Sequence, residues 1–229
     1  MDAVRRDEIA ANLREVRERI ATACARAGRD PAEVQLIAVT KTWPVEDVRI
    51  LADLGITDVG ENRDQEAAPK AAAFAAQDGR PLRWHFIGQL QSNKARSVVR
   101  YASMVHTVDR ASLAAALAKA APDGLDILVQ LSVDGDPARG GVPVAELPAL
   151  VAGLPPSLRL QGVMAVAPLG VEAGDAFGLV AQAHELLLRQ FPQARVRCMG
   201  MSEDLEAAIA CGATHIRVGS ALLGHRTVR

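Results

Sequence analysis

The chain has 229 residues, of which 49% are hydrophobic and 23% charged, the usual composition of a globular protein. Its 26 Lys and Arg and 27 Asp and Glu give a formal net charge of −1, which excludes a strongly basic surface for nucleic acid. No apolar run approaches the length of about 18 residues that a membrane-spanning helix needs. The charged N-terminus lacks the apolar stretch of a secretory signal. Because the three cysteines are scattered, we expect no disulfide framework and a cytoplasmic protein.

Residues 2–28 predict one amphipathic helix. Apolar side chains recur every three or four positions among Arg and Glu, at Ile9, Leu13, Val16, Ile20 and Cys24. Asp30-Pro31 then marks the end of the helix. We therefore expect residues 1–30 to form an N-terminal helix that packs on the rest of the domain.

From residue 34 onward, short runs rich in Val and Ile alternate with Ala- and Leu-rich segments of helical length. The candidate strands are residues 34–41, 58–62, 84–88, 104–109, 126–133, 160–168, 195–202 and 215–220. This alternation predicts an α/β protein with a parallel sheet. Eight units in roughly 200 residues fit a (β/α)₈ TIM barrel, and we predict one such domain over residues 1–229. A doubly wound open sheet is the alternative, weakened because no G-x-G-x-x-G follows the first strand.

Lys41 ends the first candidate strand. Ile37, Val39 and Lys41 share one face by the period of two, so we expect an amine shielded from water at a strand end. Burying an ammonium group is costly unless it is paired or loses its proton. A desolvated lysine is the type that forms Schiff bases with carbonyl compounds. The alternative is a lysine whose stem is buried while its amine reaches solvent.

Two turns that contain serine and glycine follow the seventh and eighth candidate strands. Ser202 stands where a strand gives way to a predicted helix, at a favourable N-cap position. Gly219 and Ser220 open the turn after the last strand. Free N–H groups at such turns bind phosphate, and the loops after strands seven and eight are the recurrent phosphate site of these barrels. An ordinary capped helix remains the alternative at Ser202.

Polar side chains also occur on three predicted strands. Arg217 alternates with Ile216 and Val218, so we expect it to point into the barrel, where it needs an acceptor. Asn62 is the last residue of the second predicted strand and could cap a helix or contact a ligand. His85, on the third strand, belongs to a residue type that is more often a hydrogen-bonded core residue than a ligand. No group of His, Cys and Asp has metal-ligand spacing, so we predict no metal site.

Five runs of the sequence are distinctive. They are AVTKTWP (38–44), GENRDQE (60–66), WHFIGQLQSNK (84–94), GVMAVAP (162–168) and GMSEDLEAAIACGATHIRVGSALLG (200–224). In this order, and over nearly the whole chain, they resemble the pyridoxal phosphate homeostasis protein family. The resemblance implies a single-domain barrel similar to the N-terminal domain of fold-type III alanine racemases. It also implies a protein that carries pyridoxal 5′-phosphate in intracellular vitamin B6 homeostasis and meets apo-enzymes or the enzymes that make the cofactor.

The resemblance further implies a role for individual residues. Lys41 would hold the cofactor as a Schiff base. Arg217 would face the pyridine nitrogen, and because a guanidinium cannot accept a proton, the ring would stay unprotonated and be a poorer electron sink. The remaining contacts are Ser202, Gly219 and Ser220 at the phosphate, and Asn62, His85 and Met164 around the ring. Arg63-Asp64 stands where the family usually has an aromatic residue, which alters the expected pocket edge.

The tyrosine count separates two classes of function. Similar racemases use the lysine and a tyrosine from a second, β-rich domain, contributed across a dimer interface. This sequence ends nine residues after Ser220, so we expect no second domain, and its one tyrosine, Tyr101, precedes the fourth strand. Without a positioned second base, efficient two-base proton transfer is not expected. We therefore predict a non-catalytic carrier.

Three further expectations accompany the carrier prediction. A minimal pyridoxal-phosphate-dependent racemase or lyase is the alternative within the same cofactor class. A barrel that uses phosphorylated substrates without a cofactor is the third possibility. A barrel of this size can bury its own core, so we expect a monomer.

Overall fold

The computed structural model describes residues 3–224 and forms a closed barrel of eight parallel strands. The strands are β1 (Gln35–Val39), β2 (Asp58–Glu61), β3 (Arg83–Phe86), β4 (Ala102–Val108), β5 (Leu125–Ser132), β6 (Leu158–Met164), β7 (Val196–Cys198) and β8 (His215–Val218). Each strand pairs in parallel with its neighbour in the chain, and β8 pairs with β1 to close the ring. A two-residue strand, Val142–Pro143, adds to the end of β5. The predicted (β/α)₈ barrel and its eight strands are confirmed.

Helices surround the barrel within the same described range. They are α1 (Ala3–Arg26), α2 (Val45–Asp53), α3 (Asp64–Asp78), α4 (Ala95–Val98), α5 (Ala111–Ala120), α6 (Leu147–Ala152), α7 (Ala173–Leu188), α8 (Leu205–Ala210) and α9 (Ser220–Leu223). Residues 1, 2 and 225–229 lie outside the described part of the chain. Among residues 3–224, no helix combines the length and the apolar character that crossing a bilayer requires.

The N-terminal helix packs on the outside of the barrel. Its buried stripe of Ile9, Leu13, Val16 and Ile20 lies against α8, α9 and α2. The helix stops at Arg26 because Gly28 adopts φ 65°, a left-handed conformation that glycine tolerates. The Arg29 N–H then donates to the Cys24 carbonyl at 2.9 Å, which satisfies an end of the helix.

The barrel has a large outer core and a small inner one. Most buried aliphatic side chains point outward and pack between the sheet and the helices. The inner apolar cluster is a belt of four buried residues, Ile37, Leu128, Met164 and Cys198. Much of the remaining inner volume holds buried polar side chains, among them His85, His106 and Arg217. The strand alternation thus places polar groups inside a closed sheet, where each needs a hydrogen-bond partner.

Candidate functional site

A cavity of about 640 Å³ opens at the carboxyl ends of the strands. This is the face of such barrels on which binding sites form, and the volume is in the range that holds a small molecule. Five of the residues that the sequence singled out line this cavity: Lys41, Ser202, Arg217, Gly219 and Ser220. The structure therefore brings together segments that are up to about 180 positions apart in the chain.

Lys41 lies in the turn that follows β1, and its side chain is exposed. The expectation of a lysine shielded by the strand was wrong, because β1 ends at Val39 and the alternation no longer sets the direction of Lys41. Thr42 has φ 67°, an uncommon conformation for a residue with a side chain. Its N–H donates to Glu66 Oε2 at 3.1 Å, which helps to hold the turn. The amine of Lys41 is thus accessible to a molecule in the cavity.

A buried ion pair holds the other side of this turn. Thr40 Oγ1 donates to Glu61 Oε1 at 2.7 Å, and Lys70 Nζ donates to the Thr40 carbonyl at 2.8 Å. Lys70 Nζ also pairs with Glu61 Oε1 at 2.5 Å. Burial raises the pKa of Glu61, while the Lys70 ammonium opposes the increase. The residue before Lys41 is therefore fixed through both its side chain and its carbonyl group.

The two serine-containing turns meet across the cavity. Ser220 Oγ donates to Ser202 Oγ at 3.1 Å, and the Ala221 N–H donates to the same oxygen at 3.4 Å. The prediction that Ser202 caps a helix was wrong, because α8 begins only at Leu205, after Asp204. The residues between strand and helix form a turn instead. That turn leaves the Ser202 hydroxyl beside Ser220, where hydroxyl and N–H groups converge.

Arg217 points into the barrel, as its alternation predicted, and is 4% exposed. Its Nη1 donates to the Cys198 carbonyl and to Cys198 Sγ, both at 3.0 Å, and its Nη2 donates to the Ala165 carbonyl at 2.9 Å. Burial raises the pKa of the Cys198 thiol, against the opposing effect of the guanidinium. A fixed positive charge consequently borders the cavity from below.

Asn62 leaves a buried acceptor without a partner. Its Oδ1 has no hydrogen-bond partner within residues 3–224, although it is buried. Asn62 follows β2, and its backbone packs so closely on Gly88 that a Cβ at Gly88 would lie 2.1 Å from the Asn62 carbonyl oxygen. Because buried polar atoms are normally satisfied, this amide is suited to a donor that a ligand or water brings.

His85 and Met164 lie away from the cavity lining. His85 Nε2 contacts Asp58 Oδ1 at 2.7 Å, and its Nδ1 contacts His106 Nε2 at 2.8 Å. Met164 belongs to the inner apolar belt. Neither residue belongs to the described lining of the cavity. The structure therefore places both side chains in the barrel interior, and the ring contacts that the resemblance implied for them stay predictions.

Tyr101 lies outside the barrel, between the sheet and its helices. Its phenol donates to Asp64 Oδ1 at 3.4 Å, and its ring packs against both outer cores. Burial and the neighbouring Asp64 raise the pKa of Tyr101.

In the part of the chain that the structure describes, no cluster of His, Cys, Asp and Glu could hold a metal ion.

Comparison with known proteins places the chain among relatives of similar length. The family model for the alanine racemase N-terminal domain matches residues 4–227. A Pseudomonas aeruginosa protein named pyridoxal phosphate homeostasis protein is 43% identical over 223 residues, which cover 95% of this chain and 96% of that protein. The structure of PipY from Synechococcus elongatus with PLP bound matches with a TM-score of 0.80 and 34% identity, covering 94% of this chain and all of that chain.

Alanine racemases share the barrel but extend beyond it. The Corynebacterium glutamicum alanine racemase matches with a TM-score of 0.70 and 16% identity, and the match covers 95% of this chain but 60% of the racemase. At that identity the likeness concerns the fold alone. The family-model match and the relatives of at least 38% identity carry the assignment. The chain belongs to the pyridoxal phosphate homeostasis proteins, within the alanine racemase N-terminal domain family.

Proposed function

We propose that this protein binds pyridoxal 5′-phosphate and acts in intracellular vitamin B6 homeostasis without dedicated catalytic turnover. The observation that carries the proposal is the single cavity in which an accessible Lys41 amine, two serine hydroxyls and a buried Arg217 converge. Amine, hydroxyls and guanidinium match, in turn, the aldehyde, the phosphate and the ring nitrogen of this cofactor. The unpartnered Asn62 oxygen follows β2 and lies outside the described lining of the cavity, so its contact with the cofactor is part of the proposal.

Each residue has a distinct task in the proposed site. Lys41 would hold the cofactor through its aldehyde, with loss of water and formation of a carbon–nitrogen double bond to the amine. Ser202, Gly219 and Ser220 bind the phosphate through hydroxyl and N–H groups. Arg217 has five N–H donors and no acceptor, so it would donate to the ring nitrogen and leave that atom unprotonated. The bound cofactor supplies an electron sink, which an unprotonated ring weakens.

The position of Tyr101 supports the proposed absence of catalytic turnover. Two-base proton transfer needs a second base on the far side of the ring from Lys41. Tyr101, the one tyrosine of the sequence, is engaged with Asp64 outside the barrel. Lys41 is therefore left without the tyrosine partner of the similar racemases. We further propose a cytoplasmic monomer that exchanges cofactor with apo-enzymes or with enzymes that make it.

An absorption spectrum followed by reductive trapping tests the binding site. Purified protein incubated with pyridoxal 5′-phosphate should absorb between the near ultraviolet and the visible, and borohydride should fix the cofactor on the peptide that contains Lys41. Lys41→Ala should lose the band completely, whereas Lys119→Ala, at an exposed lysine on α5, should retain it. An adduct on another lysine, or none, would overturn the assignment.

Two assays separate the proposed carrier from its alternatives. Turnover of L-alanine or other amino acids at about 1 s⁻¹ or faster would establish a racemase or lyase. Colourless protein that binds phosphorylated compounds without any adduct would favour a barrel that uses no cofactor. The carrier proposal expects a coloured protein with turnover far below that rate.

A further inference from the structure

Three polar residues of α1 stand seven positions apart on one face of the helix. They are Arg5, Asn12 and Arg19, and seven residues correspond to about two turns of an α-helix. The hydrophobic stripe of α1 runs beside them, so the same helix side carries both apolar packing and hydrogen-bond donors. We call these three residues the α1 clamp.

Each clamp residue donates to a backbone carbonyl in one of the two serine-containing turns or in the short helix that follows. Arg19 Nη2 donates to the Ser202 carbonyl at 2.8 Å. Asn12 Nδ2 donates to the Leu222 carbonyl at 2.9 Å, and Arg5 Nη2 donates to the Leu223 carbonyl at 3.0 Å. The last carbonyls of a helix have no partner within that helix, so the clamp satisfies the carboxyl end of α9.

Arg5 extends the clamp toward the lysine turn. Its guanidinium lies 4.6 Å from the centroid of the Trp43 ring, two residues after Lys41. Its Nη2 also pairs with the buried Asp47 Oδ2 at 2.8 Å, and the hydrogen bond to Asp47 raises the pKa of Arg5. One arginine thus connects the turn that carries Lys41 with the end of α9.

Arg19 contacts the Ser202 turn and is itself held by a carboxylate, that of Glu206. Its Nε and Nη2 donate to the two carboxylate oxygens of Glu206 at 2.8 and 3.0 Å. This two-pronged contact fixes the plane of the guanidinium, which then holds the Ser202 carbonyl. The Ser202 hydroxyl remains directed at Ser220. The clamp therefore fixes the Ser202 turn through a carbonyl of that turn and the Ser220 turn through the end of α9, which follows it. The serine hydroxyl groups stay available inside.

We propose that Arg5, Asn12 and Arg19 are positioning residues that set the separation of the two phosphate-binding turns, so that α1 controls how tightly a phosphate monoester is held. The inference rests on the proposed function. None of the three lines the cavity among its described lining residues, so the effect acts through the carbonyl groups of Ser202, Leu222 and Leu223. A clamp that acts in this way affects ligands that carry a phosphate and spares those that lack one.

The test compares pyridoxal 5′-phosphate with pyridoxal, which has the same aldehyde and ring but no phosphate. Asn12→Ala removes one clamp donor without changing charge, and Arg19→Lys keeps the charge but loses the planar two-pronged contact. Both variants should bind pyridoxal 5′-phosphate about 5- to 20-fold more weakly, since a lost hydrogen bond acts on the phosphate turn. Their affinity for pyridoxal should change less than about twofold, since Lys41 and Arg217 are untouched.

The matched control is Arg14→Ala, an exposed arginine on another face of the same helix. It should leave both affinities unchanged. Equal weakening for both ligands, or no weakening for the phosphate-bearing one, would overturn the clamp while leaving the proposed function intact. If the unaltered protein forms no adduct with either aldehyde, the proposed function itself fails, and the clamp proposal fails with it.

Discussion

The lower half of the barrel interior and its mouth use polar side chains in opposite ways. The lower half holds what we call the histidine floor, formed by Asp58, His85, His106 and His215. There, side chains bond mainly to one another and to neighbouring side chains. At the mouth, Lys41 is exposed and the hydroxyls of Ser202 and Ser220 border open space. Both regions are polar, but it is the polar groups at the mouth that border the open cavity.

The hydrogen bonds of the histidine floor can be assigned a direction, with one donor and one acceptor in each. Burial lowers the pKa of His106, with His85 and Arg217 acting in the same direction, so His106 stays neutral. We assign His106 Nε2–H as the donor to His85 Nδ1, and His85 Nε2–H as the donor to Asp58. His106 Nδ1 is then an acceptor, and it has no partner within the described range. The hydrogen bonds that join Asp58, His85 and His106 therefore stabilise the fold.

Removing the Asp58 carboxylate should cause the largest loss of stability. Burial acts to raise the pKa of Asp58, but its hydrogen bonds outweigh burial and lower the pKa to about 2. The donors are His85, Thr57, Gln35 and Arg83. Asp58→Ala leaves them without this acceptor, so the free energy of unfolding in urea should fall by about 4 kcal/mol.

The control for this variant is Asp126→Ala at the start of β5. That carboxylate also accepts from an arginine and a glutamine, Arg159 and Gln161, but its side chain is 32% exposed. Solvent screens such a pair, so a loss of about 1 kcal/mol or less is expected. Equal losses in the two variants would remove the distinction between a buried floor and a solvated strand end.

Acid should weaken the floor through His215. Burial and His85 lower the pKa of His215 to about 4, with Arg83 in the same direction and Asp58 opposing. Between pH 6.5 and pH 4 the unfolded chain binds the proton that the folded chain refuses, so stability falls as pH falls through this window. At pH 5 the contribution of His215 to that loss is about 2 kcal/mol.

Urea unfolding at pH 7.5 and pH 5 measures this contribution. His215→Gln should lose less stability on acidification than the unaltered protein, by about that 2 kcal/mol. His106 and His184 also have pKa values lowered by burial, so part of the acid dependence should persist in the variant. An identical acid dependence in the two proteins would show that His215 titrates normally in the fold.

Stability and affinity measured in one floor variant and one mouth variant separate the roles of the two regions. His85→Gln should lower the free energy of unfolding by about 1.5 kcal/mol, because it disrupts the hydrogen bonds that His85 makes with His106 and Asp58. It should change the affinity for pyridoxal 5′-phosphate less than about twofold. Ser220→Ala should do the reverse, with little effect on stability and about 5- to 10-fold weaker binding. A large loss of affinity in His85→Gln would return His85 to the ring pocket that the resemblance implied.

The sequence predicted the architecture because alternation and segment length record it directly. Eight Val- and Ile-rich runs corresponded to the eight barrel strands, and Arg217 faced inward as its alternation required. The prediction of a shielded Lys41 failed because it depended on where β1 ends, and Val39 ends it two residues early. Element ends depend on tertiary contacts that a pattern does not contain.

The contacts that support the site were harder to predict. Lys70 lies on the face of α3 that carries Ala67, Ala71 and Phe74, which was an available signal for a buried lysine. Its partner Glu61 lies on β2, on the strand face that meets this helix. The α1 clamp left a seven-residue spacing in the sequence, but its acceptors are carbonyl groups, which carry no sequence signature. Side-chain to backbone bonds therefore limit what a single sequence predicts.

The smallest effect is expected at Tyr101, outside both regions. Tyr101→Phe removes one hydrogen bond of 3.4 Å to Asp64, so the free energy of unfolding should fall by less than about 1 kcal/mol. Any slow racemisation of L-alanine should be unchanged, because a phenol whose pKa is raised by burial and engaged outside the barrel is a poor base for a ligand at the mouth. Lys41→Ala should abolish the same residual rate. A tenfold drop in Tyr101→Phe with stability retained would mean that the phenol reaches the mouth, and the proposed absence of a second base would fail.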